Sequence, residues 1–293
     1  MNIVDRINLE FKDLSKGQKQ IAGYILHNYE KAAYMTAATL AATVGVSEST
    51  VVRFAYALGY EGYPELQKDF QEVIKNKLTN VQRLEQMEGL TSKEILDAAF
   101  KMDVNNIKAT QGLISPELMD RVVDSILAAR TVYVLGTRAS EPLARFLAYY
   151  MSYIISDVKM INFGLSDIYS QALYAGEKDL VIGISFPRYS LITVEGLGYF
   201  KSKGCKVVTI TDNETAPPAQ YSDFSLITKS NMNSFVDSLV APLSLINVLI
   251  ILLGLRKKNE LVANFENLEK IWHTQPIYAT QELEDKFLEL GNT

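Results

Sequence analysis

The sequence predicts an all-α N-terminal helix-turn-helix domain followed by an α/β domain with a five-stranded, doubly wound parallel sheet. Three observations carry this. The chain has 293 residues, which at roughly 150 residues per domain makes about two domains. Residues 1–77 place apolar side chains at helical spacing, as in Ile21, Tyr24 and Ile25 and then Leu40, Ala41 and Val44. From residue 131 the pattern changes to short β-branched runs alternating with helical stretches, the signature of strands joined by crossover helices.

In chain order, the first element pair of note lies in residues 37–56, AATLAATVGVSESTVVRFAY. Leu40, Ala41 and Val44 precede Gly45 at helical spacing, and Val46, Val51 and Phe54 follow it pointing inward. A small residue at 41 lets two helices cross closely, and Gly45 can take the positive φ of a tight inter-helix turn. Ser47 then caps the second helix, whose polar face presents Glu48, Ser49, Thr50 and Arg53 near its start. That is where a recognition helix meets base edges in the major groove. Arg53 suits guanine or phosphate, Ser47, Ser49 and Thr50 suit phosphate or base contacts, and Glu48 complements the helix dipole. The following GYEGYP (59–64) is a turn whose amides could meet a phosphate, though packing explains its tyrosines equally well.

Residues 78–110 read as a polar helical linker, leading through Ser115-Pro116 into an amphipathic helix in which Ser115 caps and Pro116 opens the first turn. The α/β domain spans 111–280. Its strands are expected at 131–136, 158–162, 179–185, 206–211 and 224–228, with helices at 140–154, 166–175, 190–203 and 234–256. Runs apolar on both faces belong to a parallel sheet covered on each side. Ligands of such folds bind beyond the carboxyl ends of the strands, near the switch in strand order. Two polar loops sit there. Gly136-Thr137-Arg138-Ala139-Ser140 follows the first strand, and Ser185-Phe186-Pro187-Arg188-Tyr189-Ser190 follows the third. The hydroxyls of Thr137, Ser140, Ser185 and Ser190, with Arg138 and Arg188, would clothe a small phosphorylated or carboxylated ligand at two helix N-termini.

Composition bounds the alternatives. Hydrophobic residues make up 48% and charged residues 22%, which excludes a disordered chain. One Cys excludes a disulfide framework, and two His, at 27 and 273, make a His-rich metal centre improbable. No metal, cofactor or catalytic residue is expected. The net charge of −5 argues against nucleic acid only as an average. Residues 1–80 hold nine basic and nine acidic side chains, so the whole acidic excess lies in residues 81–293. A neutral head of this size binds weakly alone, which predicts a homodimer or homotetramer spanning two half-sites. The N-terminus has no signal-peptide pattern. Residues 238–255 form an 18-residue uncharged stretch, but Pro242, Ser244 and Asn247 interrupt it, so a helix buried against the sheet or a partner subunit is expected. The expected location is cytoplasmic, away from any membrane.

On these residues the chain resembles a known family. LSKGQKQIAGYILHNYEKAAYMTAATLAATVGVSESTVVRFAYALGYEGYPELQKDF is similar to the N-terminal domain of RpiR-type bacterial transcriptional regulators. Residues from about 120 to 260, including KDLVIGISFPRYS and GCKVVTITDNETAPPAQYSD, resemble their sugar isomerase (SIS) domain. The resemblance implies a regulator of sugar or amino-sugar metabolism that binds double-stranded operator DNA as an oligomer and senses a phosphosugar or related metabolite. One departure stands out. The usual SIS phosphate loop reads Ser-x-Ser-Gly-x-Thr, whereas here Pro187 and Arg188 replace its middle Ser-Gly and Ser190 its Thr.

Two rival readings remain at this level. A phosphosugar isomerase with a DNA-binding head needs a general base, commonly Glu or His. Glu141 and Glu195 are the carboxylates near the loops, and Glu141 sits where a first-turn acid ordinarily complements the dipole. The other rival is a regulator whose SIS domain only dimerises. Nicotinamide-cofactor binding is disfavoured, because residues 136–140 lack the G-x-G-x-x-G spacing.

Overall fold

Short polar side chains ahead of apolar-periodic runs set where helices begin in the computed structural model, which describes residues 3–77, 79–162, 164, 166–231 and 234–275. Ser15, Thr36, Ser47 and Ser115 each accept a backbone N–H three residues on. The chain divides into two units, residues 1–99 with 232–237 and residues 100–231 with 238–293.

The first unit contains helices α1 (Ile3–Glu10), α2 (Lys16–His27), α3 (Tyr29–Ala32), α4 (Ala37–Val44), α5 (Glu48–Ala57), α6 (Tyr63–Lys77) and α7 (Asn80–Glu85). Its core closes around Ile3, Ile7, Ile21, Ile25, Leu40, Val51, Phe54, Leu66 and Phe70, all buried. Helix α4 ends on Gly45 at φ 78°, whose N–H donates to the Ala41 carbonyl. The tyrosines of the 59–64 turn are packing residues. Tyr60 and Tyr63 are buried, and the Tyr63 hydroxyl donates to the Met35 carbonyl at 2.7 Å. Burial pushes the Tyr63 phenol up to about 12. The 78–110 stretch is not one helix: α7 gives way to a turn at 86–91 before α8 (Ser92–Gln111).

In the second unit, α9 (Pro116–Ala128) precedes β1 (Val132–Gly136), α10 (Glu141–Met151), β2 (Val158–Met160) and α11 (Ile168–Gln171). Then come β3 (Leu180–Ile184), α12 (Leu191–Ser202), β4 (Lys206–Thr211), β5 (Phe224–Ile227), α13 (Val240–Arg256) and α14 (Lys258–Thr274). The strands form one parallel sheet in the order β2-β1-β3-β4-β5. Alternate residues serve opposite faces. Val132, Val134 and Ile182 pack with Met119, Leu147 and Leu249 of α9, α10 and α13 on one side. Tyr133, Leu135 and Val181 pack with Ile168, Leu197 and Phe200 of α11 and α12 on the other.

All five expected strands are present, within one or two residues of their expected ends. Three helices are shorter than expected, the first being α10, which ends at Met151 instead of 154. The 166–175 stretch gives one turn, because Leu173 and Tyr174 find no core (57% and 83% exposed) while the Gln171 side-chain amide bonds to the Asn162 and Ser166 carbonyls. The 234–256 stretch starts its helix at Val240, since Ser234 Oγ instead accepts the Val236 N–H in a turn. Helix α13 buries Ala241, Leu245, Ile246, Leu249 and Leu253, and exposes Val240, Val248, Ile251 and Leu255 on its other face. Among the described residues no single helix is long and apolar enough to cross a membrane.

Helix α12 lies unusually close to the sheet. A Cβ on Gly183 of β3 would fall 2.5 Å from Leu197 Cδ2, and one on Gly196 would fall 2.9 Å from Leu135 Cδ2. With β1 and β3 adjacent, and β2 and β4 lying outside them, the switch point is the crevice at their carboxyl ends.

Candidate DNA interface and strand-end ligand site

The α4–turn–α5 pair places its polar face on the surface. Ser47, Glu48, Ser49 and Arg53 are exposed and Thr50 is half-buried. Ser47 is engaged in the cap: its oxygen accepts the Thr50 N–H at 3.3 Å and lies 2.9 and 2.8 Å from the Ser49 and Thr50 hydroxyls. Arg53 Nε donates to the Ser49 carbonyl at 3.2 Å, which lays the guanidinium back along the helix toward its N-terminal end. Two further candidates were not found by reading the first turn alone. Tyr56, 58% exposed, continues the Ser49–Arg53 face at helical spacing. The start of α2 lies against α5, since Gln18 Nε2 donates to the Arg53 carbonyl at 3.3 Å; this brings exposed Lys16 into the neighbourhood.

In the second unit, Gly136 and Ile184 are register partners, so the loops that follow them leave the sheet side by side. Gly136 is needed there: a Cβ would meet Ala144 Cβ at 2.9 Å and the Ser140 carbonyl at 3.0 Å. Thr137 Oγ1 lies 2.9 Å from Thr193 Oγ1, tying the first loop to the first turn of α12. Ser140 stands at the start of α10 and Ser190 at the start of α12, yet neither side chain caps its helix. Ser140 and Ser185 are nine-tenths or more buried, at 7% and 3% exposure. Arg138 and Arg188 are exposed, and they are the non-glycine residues with positive φ among those described, at 54° and 62°. Backbone conformations that side chains disfavour concentrate at ligand sites, held there by their surroundings.

A further cluster supports the second loop. The Tyr189 hydroxyl donates to Asp212 Oδ1 at 2.7 Å, and Asn213 Nδ2 donates to Asp212 Oδ2 at 2.9 Å. Lys229 Nζ donates to the Asp212 carbonyl at 3.4 Å. Burial and then the Asp212 charge drive the Tyr189 phenol well above its ordinary value, so it stays a donor. No sequence spacing reveals this group, because Tyr189 and Asp212 meet only when β4 lies beside β3. Glu141 is held by Arg145 at 2.6 Å on the surface of α10. Among the described residues no group of three His, Cys, Asp or Glu could hold a metal ion.

Residues 1–77 match the model of the helix-turn-helix domain of the rpiR family, and residues 125–252 match that of the SIS domain. A recognition-helix head combined with a SIS sheet defines a DNA-binding transcriptional regulator. The chain belongs to the RpiR family of these regulators. It is 24% identical over 229 residues to an uncharacterized HTH-type transcriptional regulator of Haemophilus influenzae, covering 77% of this chain and 79% of the relative. It is 26% identical to the HTH-type transcriptional regulator HexR of Pseudomonas aeruginosa, over 72% of this chain and 73% of HexR. Among solved structures, the Vibrio vulnificus NanR protein complexed with ManNAc-6P matches 95% of this chain and 100% of its own, at TM-score 0.56 and 22% identity. The sugar isomerase domain of an RpiR transcription factor from Sphaerobacter thermophilus matches 58% of this chain and 96% of its own, at TM-score 0.56 and 24% identity. These structural likenesses show the fold.

Proposed function

We propose that this regulator binds double-stranded operator DNA as a homodimer or homotetramer in the cytoplasm, and that its SIS domain senses a phosphosugar-like effector without catalysis or cofactor. The reading head is residues 1–77, the helical linker 78–110 and the SIS domain 111–280, of which 1–2, 78, 163, 165, 232–233 and 276–280 lie outside the described residues. The observation that carries the effector reading is the pair of helix starts at Ser140 and Ser190 whose hydroxyls are not spent on caps. Together with the α12 N-terminus they form a cradle for an anion. The ManNAc-6P with which the NanR protein is complexed favours a phosphosugar as that anion. Capture of Glu141 by Arg145 supports binding over proton transfer. The exposed Val240, Val248, Ile251 and Leu255 stripe of α13 is the proposed subunit contact.

Gel retardation of the chain's own promoter region tests the DNA reading. Retardation should weaken as salt rises, and Arg53→Ala should cost about 1–3 kcal/mol per head. A sugar-phosphate panel should raise the melting temperature and change the retardation, and Ser140→Ala should remove both responses while leaving effector-free DNA binding intact. A panel that moves neither quantity would favour a SIS domain that only dimerises.

A further inference from the structure

Helix α8 is held in place by hydrogen bonds more than by a core. Its twenty residues bury two side chains, Asn106 and Thr110, and both are polar. Its apolar Leu96, Phe100, Val104 and Ile107 are exposed. Asp103, Asn106 and Thr110 share one face at helical spacing, and each bonds to the connection between β5 and α13. Asn106 Nδ2 donates to the Asn231 carbonyl at 2.7 Å. Thr110 Oγ1 accepts the Lys229 N–H at 2.9 Å and lies 3.2 Å from Thr228 Oγ1. The Ser238 hydroxyl donates to Asp103 Oδ1 at 2.6 Å. A cavity of about 560 Å³, lined by Ile107, Ile114, Met119, Leu245 and Val248 among others, adjoins the helix and leaves it room to shift.

The same connection reaches the strand ends. The Thr228 N–H donates to the Thr211 carbonyl at 2.8 Å, and Lys229 Nζ donates to the Asp212 carbonyl at 3.4 Å. Asp212 in turn holds Tyr189 of the loop after β3. An unbroken run of bonded residues therefore leads from Tyr189 through Asp212 and Lys229 to Thr110. Helix α8 belongs to both units, residues 92–99 to the first and 100–111 to the second. A helix transmits displacement along its length as a stiff element. One seated on a few exchangeable hydrogen bonds has alternative seats that a helix locked into a close-packed core lacks. We propose that the clasp of Asp103, Asn106 and Thr110 on residues 228–231 and Ser238 is the coupling element of this regulator. Occupation of the crevice resets α8 through it and so alters DNA binding, with Asn106 and Thr110 as positioning residues. The proposal rests on the strand-end crevice being the effector site.

Two measurements on the full chain test it, and the first needs no effector. Tyr189→Phe removes the hydroxyl that bonds to Asp212, and hydrogen exchange of the α8 amides at 103–111 should quicken about threefold or more. Unchanged exchange would overturn the coupling. The second uses ManNAc-6P, which should change the affinity of the unaltered chain for its promoter fragment about fivefold or more. Asn106→Ala, and Ser238→Ala as a milder variant, should bind ManNAc-6P within about twofold of the unaltered chain by calorimetry, yet their promoter affinity should respond to it less than about twofold. A full response in both variants would overturn the coupling and leave the effector site standing. No binding of ManNAc-6P to the unaltered chain up to about 10 mM would overturn the effector reading, while quickened exchange in Tyr189→Phe would still uphold the clasp.

Discussion

Arg188→Gly should stabilise the effector-free protein, even as it removes a proposed ligand contact. Arg188 holds φ at 62°, where a side chain crowds the following carbonyl at a cost of about 1–2 kcal/mol. Glycine relieves that crowding but adds freedom to the unfolded chain, which gives back about 0.4–1 kcal/mol. The net gain is about 0–1.6 kcal/mol, since Arg188 forms no ion pair among the described residues that would be lost with it. In a unit of this size each kcal/mol moves the melting temperature by about 2–4 °C, so a rise of up to about 6 °C is expected. Differential scanning calorimetry at neutral pH without ligand measures it, with Arg188→Ala as the control that removes the charge and keeps the unfavourable φ. A fall of two degrees or more in the glycine variant would refute the argument, by showing that the guanidinium holds the loop. An equal rise in the alanine variant would also refute it, by tracing the gain to charge instead of backbone.

Other consequences concern the base of the sheet and its outer helix. Asp179 is buried, and accepts from Arg130 at 2.9 and 2.7 Å and from the Gly176 N–H at 2.9 Å. Burial pushes its carboxyl up, but the Arg130 and Gly176 bonds outweigh this and leave it below the ordinary value. A folded-state pKa below the unfolded one contributes stability that is complete above about pH 4 and is lost as pH falls through the folded value. Melting temperature should therefore decline below about pH 4, and Asp179→Asn should start lower at neutral pH and fall less steeply. An acid limb of unchanged steepness in the variant would count against this role. On α13, Ile251 is 59% exposed within the proposed subunit contact. Ile251→Lys should shift the protein toward monomer in size-exclusion chromatography with light scattering and weaken promoter retardation; an unchanged mass would move the interface elsewhere.

Strands buried on both faces are legible because nearly every residue in them must be apolar, and a run such as Leu180–Ile184 reads as a strand from either side. The helix-turn-helix was legible for a related reason: Gly45 and the Ser47 cap act within a few residues of chain. The segments misjudged as helix are those where a distant partner decides. Residues 234–239 carry a helical pattern, but Ser238 Oγ bonds to Asp103 and Asp237 pairs with Arg83, contacts across more than 130 residues of sequence. In the candidate ligand site the hydroxyls and arginines were identifiable by residue type, whereas the Tyr189–Asp212 support and the failure of Ser140 and Ser190 to cap were not. The positive φ at 188 had one available signal, the alignment of that residue with the glycine of the usual loop.

The two glycine contacts beneath α12 divide this crevice into a closely packed part and a looser one. With no space for a methyl group at Gly183 or at Gly196, the helix is seated on the sheet like a key in its slot, and the dipole at its N-terminus arrives already aimed. An added carbon at either glycine would first have to move the side chain of Leu197, or those of Ile168 and Leu135. Change is left to the six residues between strand and helix, where serine and glycine have given way to Pro187 and Arg188. A helix seated this way leaves the loop before it as the place where the crevice can change its lining without moving its floor.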